Sequence, residues 1–226
     1  MPDHRLHRYE VLHNKLSGLE VLPVDCNSVE IQSVFHNPLV ELAVYRHPCH
    51  HQKTGQPHPS FMEVYRKIGG QYQVNGGTLE VNGKNAVRPA VLVETEIYPG
   101  FPTDLQAPLM AVLTGAQGQS TIRENIFDRR FGSAFQMKKM GADISVSGNQ
   151  AIIRGGKTLK GTQVQAGDLR GGAALLIAAL MAEGETCVTG AGFISRGYEH
   201  ICEDLRTLGC RIWQPGTEDL RIYERK

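Results

Sequence analysis

The sequence predicts an α/β fold built from a repeated strand–helix–strand–helix–strand–strand module. Three observations carry that prediction. Glycines at 69, 141 and 209 recur in matched surroundings: Lys67-Ile-Gly-Gly-Gln-Tyr-Gln-Val74, Lys139-Met-Gly-Ala-Asp-Ile-Ser-Val146 and Thr207-Leu-Gly-Cys-Arg-Ile-Trp213. Asp104-Leu-Gln and Asp168-Leu-Arg open two further helices at a similar interval. The run from 173 to 182 is apolar on every side, which puts that helix at the centre of a domain. A self-similar unit of about seventy residues reads as one supersecondary unit stacked on its own copies.

In chain order, residues 1–59 read as a divergent or irregular N-terminal segment and 60–226 as the repeat-bearing domain. Eight of the nine histidines lie in the first segment. His47, Cys49, His50, His51 and His58 are ligand-capable types, but adjacent histidines rarely converge on one ion and no Cys-x-x-Cys frame supports them. Pro48 would also end a helix there. A divergent or out-of-frame stretch accounts for the segment better than a metal site.

From Ser60 onward each element has a local cause. Amphipathic helices are expected over 61–68, 135–140 and 198–208, the last with Ile201, Leu205 and Leu208 on one face. Each ends at a repeat glycine, suited to a left-handed C-cap. A strand and a hairpin follow, as in Ala142-Asp-Ile-Ser-Val-Ser-Gly-Asn-Gln-Ala-Ile-Ile153, with Gly148-Asn149 as the turn. Pro99, Gly100 and Pro102 restrict the turn before Asp104. Thr103 and Gln106 read as a capping box, and Leu105, Leu109, Val112 and Leu113 continue at helical spacing. Asp104 then occupies the first helical position, where the helix dipole favours an ionised carboxylate. Two roles suit such a carboxylate: a general base facing a cleft, or a stabiliser of its own helix.

Bulk properties exclude several classes. Net charge is +1 from 24 basic and 23 acidic residues, and no basic block suggests nucleic acid. The apolar run is too short to span a membrane. No apolar leader opens the chain. Five cysteines without paired spacing suit free thiols in a reducing cytoplasm. No cofactor is implied.

Four segments in order carry a resemblance: Phe101-Pro-Thr-Asp-Leu-Gln106, Glu124-Asn-Ile-Phe-Asp-Arg-Arg-Phe131, Gly167-Asp-Leu-Arg170 and Ser195-Arg-Gly-Tyr-Glu199. Together, from about Ser60 to the end, the chain resembles the C-terminal domain of the UDP-N-acetylglucosamine 1-carboxyvinyltransferase family, the enolpyruvyl transferases that open peptidoglycan synthesis. The resemblance implies an inside-out α/β barrel domain of βαβαββ modules around buried helices. It implies transfer of the enolpyruvyl group of phosphoenolpyruvate to the 3-hydroxyl of UDP-N-acetylglucosamine, by addition and then elimination of phosphate. Asp104 would take the hydroxyl proton. Arg196 would reach phosphoenolpyruvate on domain closure, with Gly197 letting the backbone pass close to the ligand. Arg130 and Arg170 would be further cleft arginines. Asp168 would orient them or contact the reacting centre. Ile126 would contact the UDP-sugar through its main chain, with Phe127 beside it.

Read without the resemblance, Arg130 and Arg170 suit ion pairs with Asp128 and Asp168, and Ile126 and Phe127 suit plain strand core. The family's Lys-Asn pair and its general-acid Cys belong to an N-terminal domain, and no cysteine here stands in that setting. Lys84-Asn85-Ala86 echoes the pair in a hairpin of the wrong domain. Asp128-Arg129-Arg130 stands for the family's usual Glu-Asn-Arg, Gly171-Gly172 for an Ala-Ser-like pair, Ser195 for Asp, and Gly132-Ser-Ala134 for a bulkier stretch. This chain alone is therefore expected to be inactive, with an N-terminal half on another chain as partner. A non-catalytic lone domain, a truncated gene product and a 5-enolpyruvylshikimate-3-phosphate synthase-like domain are the other readings.

Overall fold

In a computed structural model of the chain, the described residues are 20–23, 58–75, 78–82, 88–198, 200–207, 210–214 and 219–223. Helix α1 (Pro59–Lys67) starts at a proline, whose missing N–H costs nothing in a first turn. It leads into a small antiparallel sheet. There β1 (Glu20–Pro23) lies beside β3 (Thr78–Asn82), and β3 beside β2 (Gln71–Asn75).

Two complete modules follow. The first runs β4 (Val93–Glu94), a 3-10 turn (Thr103–Leu105) into α2 (Gln106–Leu113), β5 (Gly118–Arg123), α3 (Gly132–Lys139), β6 (Asp143–Ser147) and β7 (Gln150–Gly155). The second runs β8 (Gln163–Gln165), α4 (Leu169–Met181), β9 (Glu185–Thr189), α5 (Ala191–Ser195), α6 (Ile201–Thr207), β10 (Arg211–Trp213) and β11 (Asp219–Tyr223). The two sheets have the same order, β4-β5-β7-β6 and β8-β9-β11-β10. In each, the first two strands are parallel because a helix crosses between them, and the remaining pairs are antiparallel. The pairing of β1 with β3 and β3 with β2 repeats the last three strands of that order, so the N-terminal sheet is a partial copy.

The repeat glycines close their helices as expected. Gly69 and Gly141 have φ of 101° and 95°. Gly70 N–H donates to Tyr65 O, and Ala142 N–H to Met137 O, the outer bonds of left-handed helix caps. Gly209 lies outside the described residues, yet Cys210 N–H makes the matching bond to Leu205 O at 2.9 Å.

The core forms around the two central helices. Every residue of α2 is buried, as are Gly171–Ala179 of α4, and the two helices pack on each other. Helix α2 lies on β5 and β7, and α4 on β9 and β11. The strands alternate accordingly: Ala151 and Ile153, or Leu220 and Ile222, turn inward. The Gly148-Asn149 hairpin joins Ser147 to Gln150 as predicted, with Gly148 at φ 56°. No described helix is long and apolar enough to cross a membrane.

Some expectations are corrected. Pro102, not Thr103, is the residue preceding the first helical turn, so the capping box does not form. Thr103 instead donates to Glu124 and accepts from Arg130, and neither amide atom of buried Gln106 has a hydrogen-bond partner among the described residues. The helix expected over 198–208 is shorter and preceded by α5, which sequence reading missed. Lys84-Asn85-Ala86 and the histidine-rich segment, apart from His58, lie outside the described residues. Among the described residues no group of His, Cys, Asp and Glu is arranged to hold a metal ion.

Candidate active site

The starts of α2 and α4 lie side by side, and the charged residues of both meet there. Asp104 sits in the 3-10 turn that leads into α2. Arg170, in the first turn of α4, donates from Nη2 to Asp104 Oδ2 at 2.8 Å. Arg130, just before α3, places Nη1 3.5 Å from Asp104 Oδ1. The Asp104 side chain keeps 39% of its surface exposed, so a ligand can reach the carboxylate beside two guanidiniums. The expected pairing of Arg130 with Asp128 and of Arg170 with Asp168 does not occur: both arginines turn to Asp104.

Arg170 is further held by Tyr198, whose hydroxyl accepts from Nη1 at 3.2 Å. Burial opposes the charge on this guanidinium, but its hydrogen bond to Asp104, with the electrostatic contributions of Tyr198 and Asp104, outweighs burial and raises its pKa. Tyr198 is buried and lies two residues after Arg196, so the Arg-Gly-Tyr segment is tied to the start of α4. Gly197 contributes to the same join: a Cβ there would come within 2.8 Å of Leu169 Cδ2. At the next turn, a Cβ on Gly172 would lie 2.5 Å from Ile194 Cγ1, so α5 packs against a bare stretch of α4. That close approach accounts for glycine at 172 in a helix interior.

Arg196 itself is exposed at the end of α5 and makes no ion pair among the described residues. Asp168 does not join the charged cluster. Its Oδ1 caps its own helix by accepting from Gly171 N–H at 2.7 Å. The structure therefore brings together Asp104, Arg130 and Arg170, and leaves apart Asp168 at the start of α4 and Arg196 at the end of α5.

The loop after β5 supplies Ile126 and Phe127, both exposed rather than strand core. The Arg130 guanidinium lies 4.7 Å from the centre of the Phe127 ring, within reach of a cation–π contact. Glu124, at the end of β5, is buried and receives hydrogen bonds from Thr95, Thr103 and the Ile126 and Phe127 amides. Sequence reading assigned Glu124 and Tyr198 no role. An acidic residue two and three positions before loop amides is the one local signal that pointed to Glu124; nothing local pointed to Tyr198.

Comparison with known proteins bears on the family and the fold. Residues 51–205 match the family described as EPSP synthase (3-phosphoshikimate 1-carboxyvinyltransferase). The chain is 45% identical over 148 residues to UDP-N-acetylglucosamine 1-carboxyvinyltransferase 2 of Clostridium tetani, covering 66% of this chain and 35% of that protein. It is 43% identical over 161 residues to the protein of the same description from Bacillus cereus, covering 71% of this chain and 37% of that one. The chain thus spans little more than a third of the length of these curated relatives. Among solved structures, the enolpyruvyl transferase NikO from Streptomyces tendae superposes with a TM-score of 0.60 at 26% identity, over 73% of this chain and 37% of that one. EPSP synthase from Acinetobacter baumannii superposes with a TM-score of 0.59 at 20% identity, over 74% of this chain and 39% of that one, a likeness of fold.

Proposed function

The chain belongs to the EPSP synthase family of enolpyruvyl (carboxyvinyl) transferases, and from that membership we propose that it supplies the C-terminal side of a site transferring the enolpyruvyl group of phosphoenolpyruvate to the 3-hydroxyl of UDP-N-acetylglucosamine. The observation that carries the proposal is the solvent-accessible Asp104 carboxylate set between Arg170 and Arg130 at adjoining helix starts. A hydroxyl that attacks an enol carbon must lose its proton, and a carboxylate within hydrogen-bond reach takes it. The flanking guanidiniums suit the carboxylate and phosphate charge that phosphoenolpyruvate and its adduct bring.

In this reading Asp104 is the general base. Arg130 and Arg170 orient it and face substrate charge, and exposed Arg196 reaches phosphoenolpyruvate from the end of α5. Ile126 and Phe127 offer backbone and ring to the UDP-sugar. Asp168 acts by fixing the start of α4, and hence Arg170, rather than by touching the reacting atoms. Residues 60–226 form the C-terminal-type domain and 1–59 a divergent segment. The family's Lys-Asn pair and general-acid Cys, which these 226 residues do not supply, belong to an N-terminal half. The setting is the cytoplasm and the pathway peptidoglycan synthesis, bearing on cell wall, cell shape and division. Neither nucleic acid, membrane nor cofactor takes part. The relatives' shared description favours UDP-N-acetylglucosamine over shikimate 3-phosphate as acceptor.

The test is phosphate release. Residues 1–226 alone should release none from phosphoenolpyruvate and UDP-N-acetylglucosamine, because they supply neither the general acid nor the facing half. Adding an N-terminal domain that carries Lys, Asn and Cys should give turnover with UDP-N-acetylglucosamine and none with shikimate 3-phosphate. Robust turnover by the chain alone, or turnover with shikimate 3-phosphate only, would overturn the proposal.

A further inference from the structure

Glu124 is 2% exposed, and no cation pairs with its carboxylate among the described residues. A buried carboxylate without a counter-charge is costly unless donors fill its oxygens. Four do, and their division is uneven. Oε1 accepts from Thr95 Oγ1 at 2.8 Å, Ile126 N–H at 2.9 Å and Phe127 N–H at 3.1 Å. Oε2 accepts from Thr103 Oγ1 at 2.9 Å.

That last bond fixes a direction. A hydroxyl has one proton, and Thr103 gives it to Glu124, so its lone pairs face elsewhere. One of them accepts from Arg130 Nη1 at 2.9 Å. A guanidinium has no acceptor, so this contact needs the Thr103 proton turned away from Arg130, and the Glu124 carboxylate holds it there. Arg130 is thereby held with Nη1 3.5 Å from Asp104 and its centre 4.7 Å from the middle of the Phe127 ring. One carboxylate therefore anchors the loop amides through one oxygen and the arginine through the other.

Resting on the enolpyruvyl-transfer reading, we infer that Glu124 is a positioning residue, which sets Arg130 against Asp104 by dictating the polarity of the Thr103 hydroxyl. Glu124→Gln separates its two oxygens. The remaining oxygen can keep the Thr95, Ile126 and Phe127 donors. The new amide can only donate to Thr103, so the Thr103 proton loses its acceptor, is no longer held away from Arg130, and the Arg130 contact weakens.

The experiment follows side-chain and backbone hydrogen exchange in the isotope-labelled full chain, with the Arg130 side-chain signal assigned by its loss in Arg130→Lys. Protection of the Arg130 N–H should fall about tenfold in Glu124→Gln and in Thr103→Val, the scale of one hydrogen bond to a charged group. It should persist in Thr103→Ser, which keeps the hydroxyl. The double variant Glu124→Gln/Thr103→Val should lose no more than either single variant, because both act on one chain of contacts. The Ile126 and Phe127 amides should stay protected in Glu124→Gln. If those amides lose protection while Arg130 keeps it, Glu124 is only a loop anchor and the inference fails. Should Glu124→Gln not fold, Thr103→Val decides alone: unchanged Arg130 protection overturns the inference. No substrate enters this assay, so failed turnover in the phosphate-release test would count against the proposed reaction and leave this result standing.

Discussion

Arg170 donates to Asp104 at 2.8 Å across 66 residues of sequence, and so joins the first turns of the two central helices. The bond is charge-assisted and only partly exposed, with 20% of the Arg170 side chain and 39% of Asp104 open to solvent. It lies between the exposed pairs that contribute little and the buried ones that contribute more. A double-mutant cycle of Asp104→Asn and Arg170→Lys, read by urea unfolding, should give a coupling of about 1 kcal/mol. Additive losses would mean that the two helix starts are held by packing alone.

Arg129 adopts φ 56°, a left-handed conformation that a long side chain tolerates poorly and asparagine adopts readily. Arg129→Asn should raise stability by about 0.5–1 kcal/mol, seen as a higher urea midpoint at unchanged slope. A loss of stability would show that the Arg129 side chain makes contacts that outweigh the backbone cost.

Gly172 sets helix propensity against packing. Alanine would gain about 1 kcal/mol in helix propensity, but its Cβ would lie 2.5 Å from Ile194, which is fully buried and cannot swing aside. Overpacking of this kind costs about 1–3 kcal/mol. Gly172→Ala should therefore lower the melting temperature. A rise would place α5 farther from α4 than described.

Cys202 tests the assignment of the cysteines. Burial is the main cause of its raised pKa; Glu203 adds to the shift and Arg206 opposes it. The folded thiol keeps its proton where the unfolded one has lost it. Its contribution to stability is thus fully present below the unfolded thiol pKa and is lost as pH rises toward the folded value. Iodoacetamide at about pH 8 should label Cys202 more slowly in the native chain than in urea, measured on the Cys202 peptide by mass spectrometry. Faster native labelling would mark an activated thiol and reopen Cys202 as a proton donor.

Most of the fold was legible from local features, because those features are covalent or helical in range. The glycine caps at 69 and 141, the hairpin at Gly148 and the all-round apolar α4 each follow from a few neighbouring residues. The site was legible in its membership but not in its contacts. Nothing near Arg170 says that it passes over Asp168 for Asp104, because that choice depends on how α2 and α4 pack. Thr103 and Gln106 had the spacing of a capping box, but the 3-10 turn after Pro102 moved the frame by one residue and freed Thr103 for Glu124 and Arg130. Tyr198 was invisible for the same reason: its hydroxyl matters only once the Arg-Gly-Tyr segment is folded against α4.

The proposal that Asp104 is the general base is tested most directly by one ratio. Phosphate release is measured for the chain and for Asp104→Asn, each supplied with the same N-terminal domain, at saturating phosphoenolpyruvate and UDP-N-acetylglucosamine. A positioned base contributes about 10²- to 10⁴-fold, so kcat should fall by that factor in Asp104→Asn while circular dichroism shows the fold unchanged. Equal turnover by the two proteins would contradict the assignment and leave Asp104 as an ion-paired residue that steadies the start of α2.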